Sequence, residues 1–173
     1  MKVYLRPISI NDTQQLILWR NSEKVREHCF SKKKITEESH KKYYEDFIVS
    51  GRNKQFIVER VDEEFGQASY PIATVYLKDI DVENRRCELC VFTSNDEEWI
   101  EESQILAIKM LLDKAFCEYN MHKVYSYVFK RFPGEIQLLL NSGFEIEAEF
   151  KKEAVNYSGQ YEDVLRMCVL RDI

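Results

Sequence analysis

Residues 85–116 read RRCELCVFTSNDEEWIEESQILAIKMLLDKAF, a strand-like segment that passes through an acidic loop into a long apolar helix. Strand, loop and helix in that order outline a phosphate site. The first turn of a helix presents N–H groups without intrahelical acceptors at the positive end of the helix dipole. Where backbone must approach a phosphate closely, glycine normally serves, because it lacks Cβ and reaches positive φ. No glycine stands between Asn95 and Gln104; the loop carries Asp96, Glu97, Glu98, Glu101 and Glu102 instead. The layout fits a phosphate-bearing ligand, and the residue types work against one.

Outward from this stretch, the chain of 173 residues suits one domain spanning 1–173. A chain of this size buries roughly 70% of the surface its unfolded form exposes, enough for a single core. A net charge of −5 gives no basic field for a nucleic-acid backbone, and Lys32, Lys33 and Lys34 read as a solvated turn. The apolar run 105–112 is broken by Lys109 and falls far short of a bilayer span, while MKVYLRPISI at the start has no signal-peptide h-region. The expectation is a cytoplasmic protein with neither nucleic acid nor membrane as partner. Five cysteines are odd in number and mostly lie in apolar patterns, so free thiols are expected. Cys87 and Cys90 have CxxC spacing. On a strand, however, residues three apart face opposite sides, no second such pair follows, and His28, His40 and His122 are scattered, so no metal site is expected.

Alternation predicts a first strand at 3–7, and Asn11 or Asp12 then caps a helix through Leu16, Ile17, Leu18 and Trp19. Thr36 caps a second helix that carries Tyr43, Tyr44, Phe47 and Ile48 and ends at Gly51. Strands follow at 55–60, 71–77 and 86–93, a central helix at 103–119 and a strand at 123–129. Pro133 opens a last helix and Gly143 closes it; residues 144–150 and 161–170 form a final hairpin around 156–159. The predicted order is βααβββαβαββ.

Three segments in this order carry a family likeness: YLRPISINDTQQLILWRNSEKVREHCF with ITEESHKKYYEDF; CELCVF followed by AIKMLLDKAFCEYNMHKVYSYVF; and LLNSGFEIEAEFKKEAVNYSGQYEDVLRMCVL, with Gly143, Phe144, Glu153, Gly159, Tyr161 and Asp163 at its marked positions. Together they resemble the GNAT superfamily of acetyl-CoA-dependent N-acetyltransferases, in its ribosomal-protein and amino-sugar branch. The resemblance covers nearly the whole chain. It implies an α/β (α+β) fold with a mixed, mostly antiparallel central sheet of about seven strands flanked by helices, and acetyl-CoA as co-substrate.

The departures fall at the chemistry. The family's [QR]xxGx[GA] phosphate cradle aligns with Trp99, Ile100, Glu101, Glu102, Ser103 and Gln104. At an effective dielectric near 20, a carboxylate about 5 Å from a phosphate charge is repelled by about 3 kcal/mol. Weak binding of acetyl-CoA is therefore expected, with Glu102 as an acidic helix cap the alternative role. The family's Asn before the last helix aligns with Phe132, and the Tyr that protonates the departing thiolate aligns with Leu139, which has no proton to donate. The resemblance implies that the backbone of Cys90, Val91, Phe92 and Thr93 pairs with the pantetheine amides as an added strand. Glu88 is the remaining candidate base, with a structural ion pair as its other role; Tyr125 or Tyr127 replaces the lost phenol or packs in the core.

On the side where this fold receives the amine stand Trp19, Arg20, Asn21 and His28. Arg20 suits a phosphate or carboxylate held bidentately, and Trp19 serves as core or as a stacking platform. Three functions stay open: an acetyl-CoA-dependent N-acetyltransferase for a primary amine of an amino-sugar nucleotide or peptide N-terminus; a GNAT-fold binding module without catalysis; and an acyltransferase with another donor. Exposed strand edges and the partly apolar final hairpin, with Tyr157, Tyr161, Val164 and Met167, add the expectation of a homodimer.

Overall fold

The computed structural model describes residues 2–62, 68–91 and 94–171. Its element order is β1 (Lys2–Pro7), α1 (Thr13–Asn21), α2 (Glu23–Arg26), α3 (Glu37–Tyr43), β2 (Lys54–Asp62), β3 (Ala68–Asp81), β4 (Arg86–Val91), α4 (Glu101–Asp113), β5 (Lys123–Phe129), α5 (Pro133–Asn141), β6 (Glu145–Val155) and β7 (Tyr161–Leu170). The predicted order holds with one addition, the single turn α2. Ser22 leaves the helical region at φ −61°, ψ 143°, and its hydroxyl donates to the Trp19 carbonyl at 2.7 Å. That ends α1 and lets α2 restart and bury Val25.

Local chemistry explains most boundaries. Thr36 caps α3 by accepting from the Ser39 N–H at 3.1 Å, and α3 then widens into a π-helical turn at Tyr44–Val49. Pro133 opens α5 where its missing N–H removes no bond, and Gly143 leaves that helix at φ +97°. The central helix starts two residues before its predicted place and likewise ends in a π turn, Lys114–Glu118.

The seven strands form one sheet in the order β1-β2-β3-β4-β5-β7-β6. Every neighbouring pair is antiparallel except β4 with β5, which is parallel and pairs only at Arg86↔Lys123, Cys87↔Val124 and Glu88↔Tyr125. Strand alternation sends Phe56 and Val58 into a core shared with Ala107, Ile108, Leu111 and Leu112 of α4 and Leu138 and Leu139 of α5. Ile57, between them, points to the opposite face and packs with Ile8, Leu16 and Trp19 beneath α1. Helices thus cover both faces, α4 and α5 on one and α1 to α3 on the other. No helix among the described residues is long and apolar enough to cross a membrane.

Candidate active site

A cavity of about 330 Å³ opens where β4 and β5 part. Beyond Glu88↔Tyr125 the residues Leu89, Cys90 and Val91 remain bonded to Leu77, Tyr76 and Val75 of β3 but have no ladder partner on β5. The wall includes Glu88, Leu89, Cys90 and Val91 of β4, Ser126, Tyr127 and Val128 of β5, Trp99 and Gln104 at the start of α4, Gly134, Glu135, Leu138 and Leu139 of α5, and Arg20, His28 and Phe30 from the α1 side.

Glu88 is the buried carboxylate of this cavity, with 7% of its surface exposed. Its Oε2 lies 3.3 Å from Lys78 Nζ, and its Oε1 accepts a weak bond from the Cys90 thiol at 3.3 Å. Burial raises its pKa above the usual carboxylate value, and the Lys78 charge offsets part of that rise. The Cys90 thiol is held well above its ordinary range, first by burial and then by the Glu88 charge, so it stays protonated. Cys87, three residues earlier, lies in the core on the other face of β4, and all five cysteines are free.

The acidic loop is tied into the fold. The Glu98 carboxylate pairs with the Arg60 guanidinium, and Asp96 Oδ1 accepts from the Glu98 N–H at 2.9 Å. Glu101, exposed in the first turn of α4, accepts from Asn141 of α5 at 2.9 Å. Ser103 is fully buried, its hydroxyl 2.8 Å from the carbonyls of Glu98 and Ile100, and the Gln104 amide donates to the Trp99 carbonyl at 2.7 Å. Ile100 is the exposed N-cap residue and Glu102 is also exposed. Arg60 thus pairs with Glu98, just before the cradle, and Asn141 draws Glu101 toward α5, while Glu102 stays exposed within the cradle. The backbone of Leu89 to Val91, unpaired on its β5 side, and the first turn of α4 are groups that would suit an extended thioester carrier with phosphates.

Of the candidate residues named from the sequence, the fold gathers Glu88, Cys90, Val91, Trp99, Gln104, Tyr127, Arg20 and His28 around this one cavity. Phe92 and Thr93 lie outside the described residues. Trp19 is not in the wall: it is 2% exposed in the α1 core, because its position on that helix faces Ile57. Asn21 is a clamp, accepting from the Ile35 N–H and donating to its carbonyl, both at 2.8 Å. Tyr125 is outside the wall as well, with the Arg166 guanidinium 4.2 Å from its ring centroid.

Sequence reading missed Glu135, Ser126, Tyr76 and Lys78. His28 Nδ1 lies 2.5 Å from Glu135 Oε1 while its ring stacks on Phe132 at 3.8 Å, so α5 and the segment after α2 meet across the cavity mouth. Tyr76 and Lys78 share the period-2 face of β3 with the Glu88 and Cys90 face of β4. That alternation was visible in the sequence, but the opposing strand was not. Leu139 does line the cavity, whose hydroxyl-bearing residues are Ser31, Tyr76, Ser126 and Tyr127.

The acetyltransferase (GNAT) domain profile matches residues 5–165. Spermidine N(1)-acetyltransferase of Escherichia coli K12 is 25% identical over 169 residues, covering 98% of this chain and 86% of that protein. The Vibrio cholerae spermidine N(1)-acetyltransferase is 23% identical over 96% of this chain and 92% of its own length. A crystal structure of the Vibrio cholerae spermidine N-acetyltransferase in complex with CoA and spermine superposes with a TM-score of 0.86 at 24% identity, covering 97% of this chain and 95% of that one, which shows the shared fold. With the parted β4 and β5, the helix start beyond them and a profile match across nearly all of the sheet, the chain belongs to the GNAT acetyltransferase family, whose members transfer an acetyl group from acetyl-CoA to an amine.

Proposed function

We propose that this chain is an acetyl-CoA-dependent N-acetyltransferase that takes a small primary amine on the α1–α3 face of the sheet, with Glu88 as general base. The carrying observation is the position of Glu88, a buried carboxylate of raised pKa at the last rung before β4 and β5 separate. Acetyl-CoA, when bound, supplies an activated thioester. The chain's own part is to hold an amine in line with it, remove one proton from the ammonium and exclude water. Glu88 above its raised pKa is the proton acceptor within the cavity. Leu139 adds an apolar side chain to the wall, and of the wall's two phenols, Tyr76 and Tyr127, burial holds the Tyr76 pKa well above its ordinary value, so the Tyr127 hydroxyl is taken as the proton source.

Polyamine is the amine class that the relatives' names supply, and the carboxylates Glu88 and Glu135 in one cavity are suited to ammonium groups. A different amine is favoured by Arg20. Its Nη2 donates to the Ser31 carbonyl at 2.9 Å, whereas its buried Nη1 has no partner among the described residues. Arg20 and Lys78 in the wall oppose a multiply charged cation and suit an amine that carries a phosphate, carboxylate or hydroxyl, as an amino-sugar nucleotide or a peptide does. Thiol release from acetyl-CoA, measured over spermidine, an amino-sugar nucleotide and a dipeptide, tests the reading. Turnover of at least one amine that falls about 100-fold in Glu88→Gln supports it. No turnover of any amine, with no calorimetric binding of acetyl-CoA, would leave a binding module.

A further inference from the structure

A second cavity of about 240 Å³ lies beside the first, lined by Leu16, Ile35, Ser39, His40, Tyr43 and Gln55 together with Arg20 and Tyr76. Arg20 and Tyr76 belong to both walls, so the two spaces meet at these side chains. Nearly every polar group around the second cavity is satisfied within the protein. Tyr43 donates to Gln55 Oε1 at 3.1 Å and accepts from Asn53 at 3.0 Å, and Gln55 Nε2 donates to Thr74 at 3.0 Å.

Two atoms are not satisfied. Arg20 Nη1 and His40 Nε2 are both buried, with no hydrogen-bond partner among the described residues, and His40 as a whole is only 5% exposed. The roles of these atoms follow from their neighbours. Thr13 has one hydroxyl proton and gives it to the Ile10 carbonyl at 2.7 Å, so toward His40 Nδ1, 3.0 Å away, it can only accept. His40 Nδ1 therefore carries the proton, and in the neutral ring Nε2 is a bare acceptor. Arg20 Nη1 can only donate. Buried polar groups without partners are costly and uncommon, and the residues that carry this donor and this acceptor both line the second cavity, so a group reaching both atoms would satisfy them. A hydroxyl does so, accepting from one and donating to the other. An ammonium can serve only His40 and is repelled by Arg20, and a carboxylate or phosphate can serve only Arg20.

We propose that the amine-binding site continues past Arg20 and Tyr76 into this second cavity, and that the part of the amine substrate lodged there carries a hydroxyl held between Arg20 Nη1 and His40 Nε2. The inference rests on the acetyltransferase reading of the first cavity and adds to it a requirement on the substrate's far end.

The test compares each of ethanolamine, aminopropanol, aminobutanol and aminopentanol with the alkylamine of the same length, by thiol release from acetyl-CoA, in the wild-type chain and in His40→Leu. The ratio of kcat/KM for alcohol over alkane is read within each protein, so the fraction of folded enzyme cancels. The expected result is a preference of about tenfold or more for the alcohol at one or two lengths, falling to about onefold to twofold in His40→Leu. Equal use of alcohol and alkane by the wild type at every length, or a preference unchanged by His40→Leu, would overturn the proposal and leave the two atoms to an ordered water only. Should His40→Leu fail to fold, Arg20→Lys repeats the comparison, because the ammonium cannot occupy the Nη1 position. Should no amine turn over, the acetyltransferase reading fails. Calorimetric titration with the same pairs then decides this proposal separately, and absence of selective binding of any alcohol at millimolar concentration overturns it.

Discussion

Glu88 on β4 and Tyr125 on β5 are the last residues paired in the parallel ladder between those strands. The register places both side chains on the same face, with Lys78 of β3 on the other flank of Glu88. A carboxylate at the rung where a sheet begins to split lines that split, and burial by the neighbouring strands raises its pKa.

Glu88→Gln keeps the shape and removes the proton acceptor, so kcat is expected to fall about 100-fold or more. The pH profile carries more information. Activity should rise with pH as Glu88 ionises, with a midpoint above the ordinary carboxylate value. Lys78→Met removes the charge that offsets burial, so the midpoint should move to still higher pH. A midpoint that stays in place or moves down would show that Lys78 does not act on the base.

Asn141 holds the Glu101 carboxylate toward α5. In Asn141→Ala that carboxylate is released near the start of α4. Acetyl-CoA binding by calorimetry should weaken about twofold to fivefold at low salt, and the loss should shrink at high salt. A salt-independent loss would point to disturbed packing between the helices instead.

Tyr127 lines the cavity and Tyr125 does not. Tyr127→Phe should therefore lower kcat about tenfold or more with acetyl-CoA affinity little changed, while Tyr125→Phe has the smaller effect. The reverse order in steady-state kinetics would return the proton-donor role to Tyr125.

His40 is held neutral, since burial lowers its pKa more than the Asp12 charge raises it. Its folded pKa lies below its unfolded value near 6.5, so below that pH the unfolded chain binds more protons than the folded one. Stability contributed by the neutral ring is present above about pH 6.5 and is lost as pH falls toward the folded pKa. Melting curves between about pH 7 and pH 5 should show a steeper loss for the wild type than for His40→Gln. Parallel curves would remove His40 from the acid response.

The strand β6 forms one edge of the sheet; of the four hairpin residues expected at a surface, Val164 and Met167 are instead fully buried, because β7 lies inside the sheet between β5 and β6, while Tyr157 and Tyr161 are exposed together with Ile146 and Val155. An open edge beside apolar side chains is a template for a second copy. Light scattering at high micromolar concentration should give about twice the 20.7 kDa of one chain, and a mass near 20.7 kDa would refute the dimer.

How much of this was legible beforehand follows from the range of each interaction. The strand Lys123–Phe129, the cap at Thr36, the helix opening at Pro133 and the stop at Gly143 depend on alternation, one hydroxyl, one fixed φ and one positive φ, all within a few residues, and the sequence alone determined them. The glycine-free loop was equally visible, but its consequence was not. Glu98 finds Arg60 and Glu101 finds Asn141 only after the chain has folded, and those partners decide where the carboxylates point. Trp19 and Arg20 are neighbours in sequence, yet helix geometry turns one into the core and the other toward two cavities. Tertiary structure alone decided that Arg20 and His40 line one cavity. Local pattern specifies which element a residue joins, whereas burial, partner and pKa are set by groups that are distant in the chain and adjacent only in the fold.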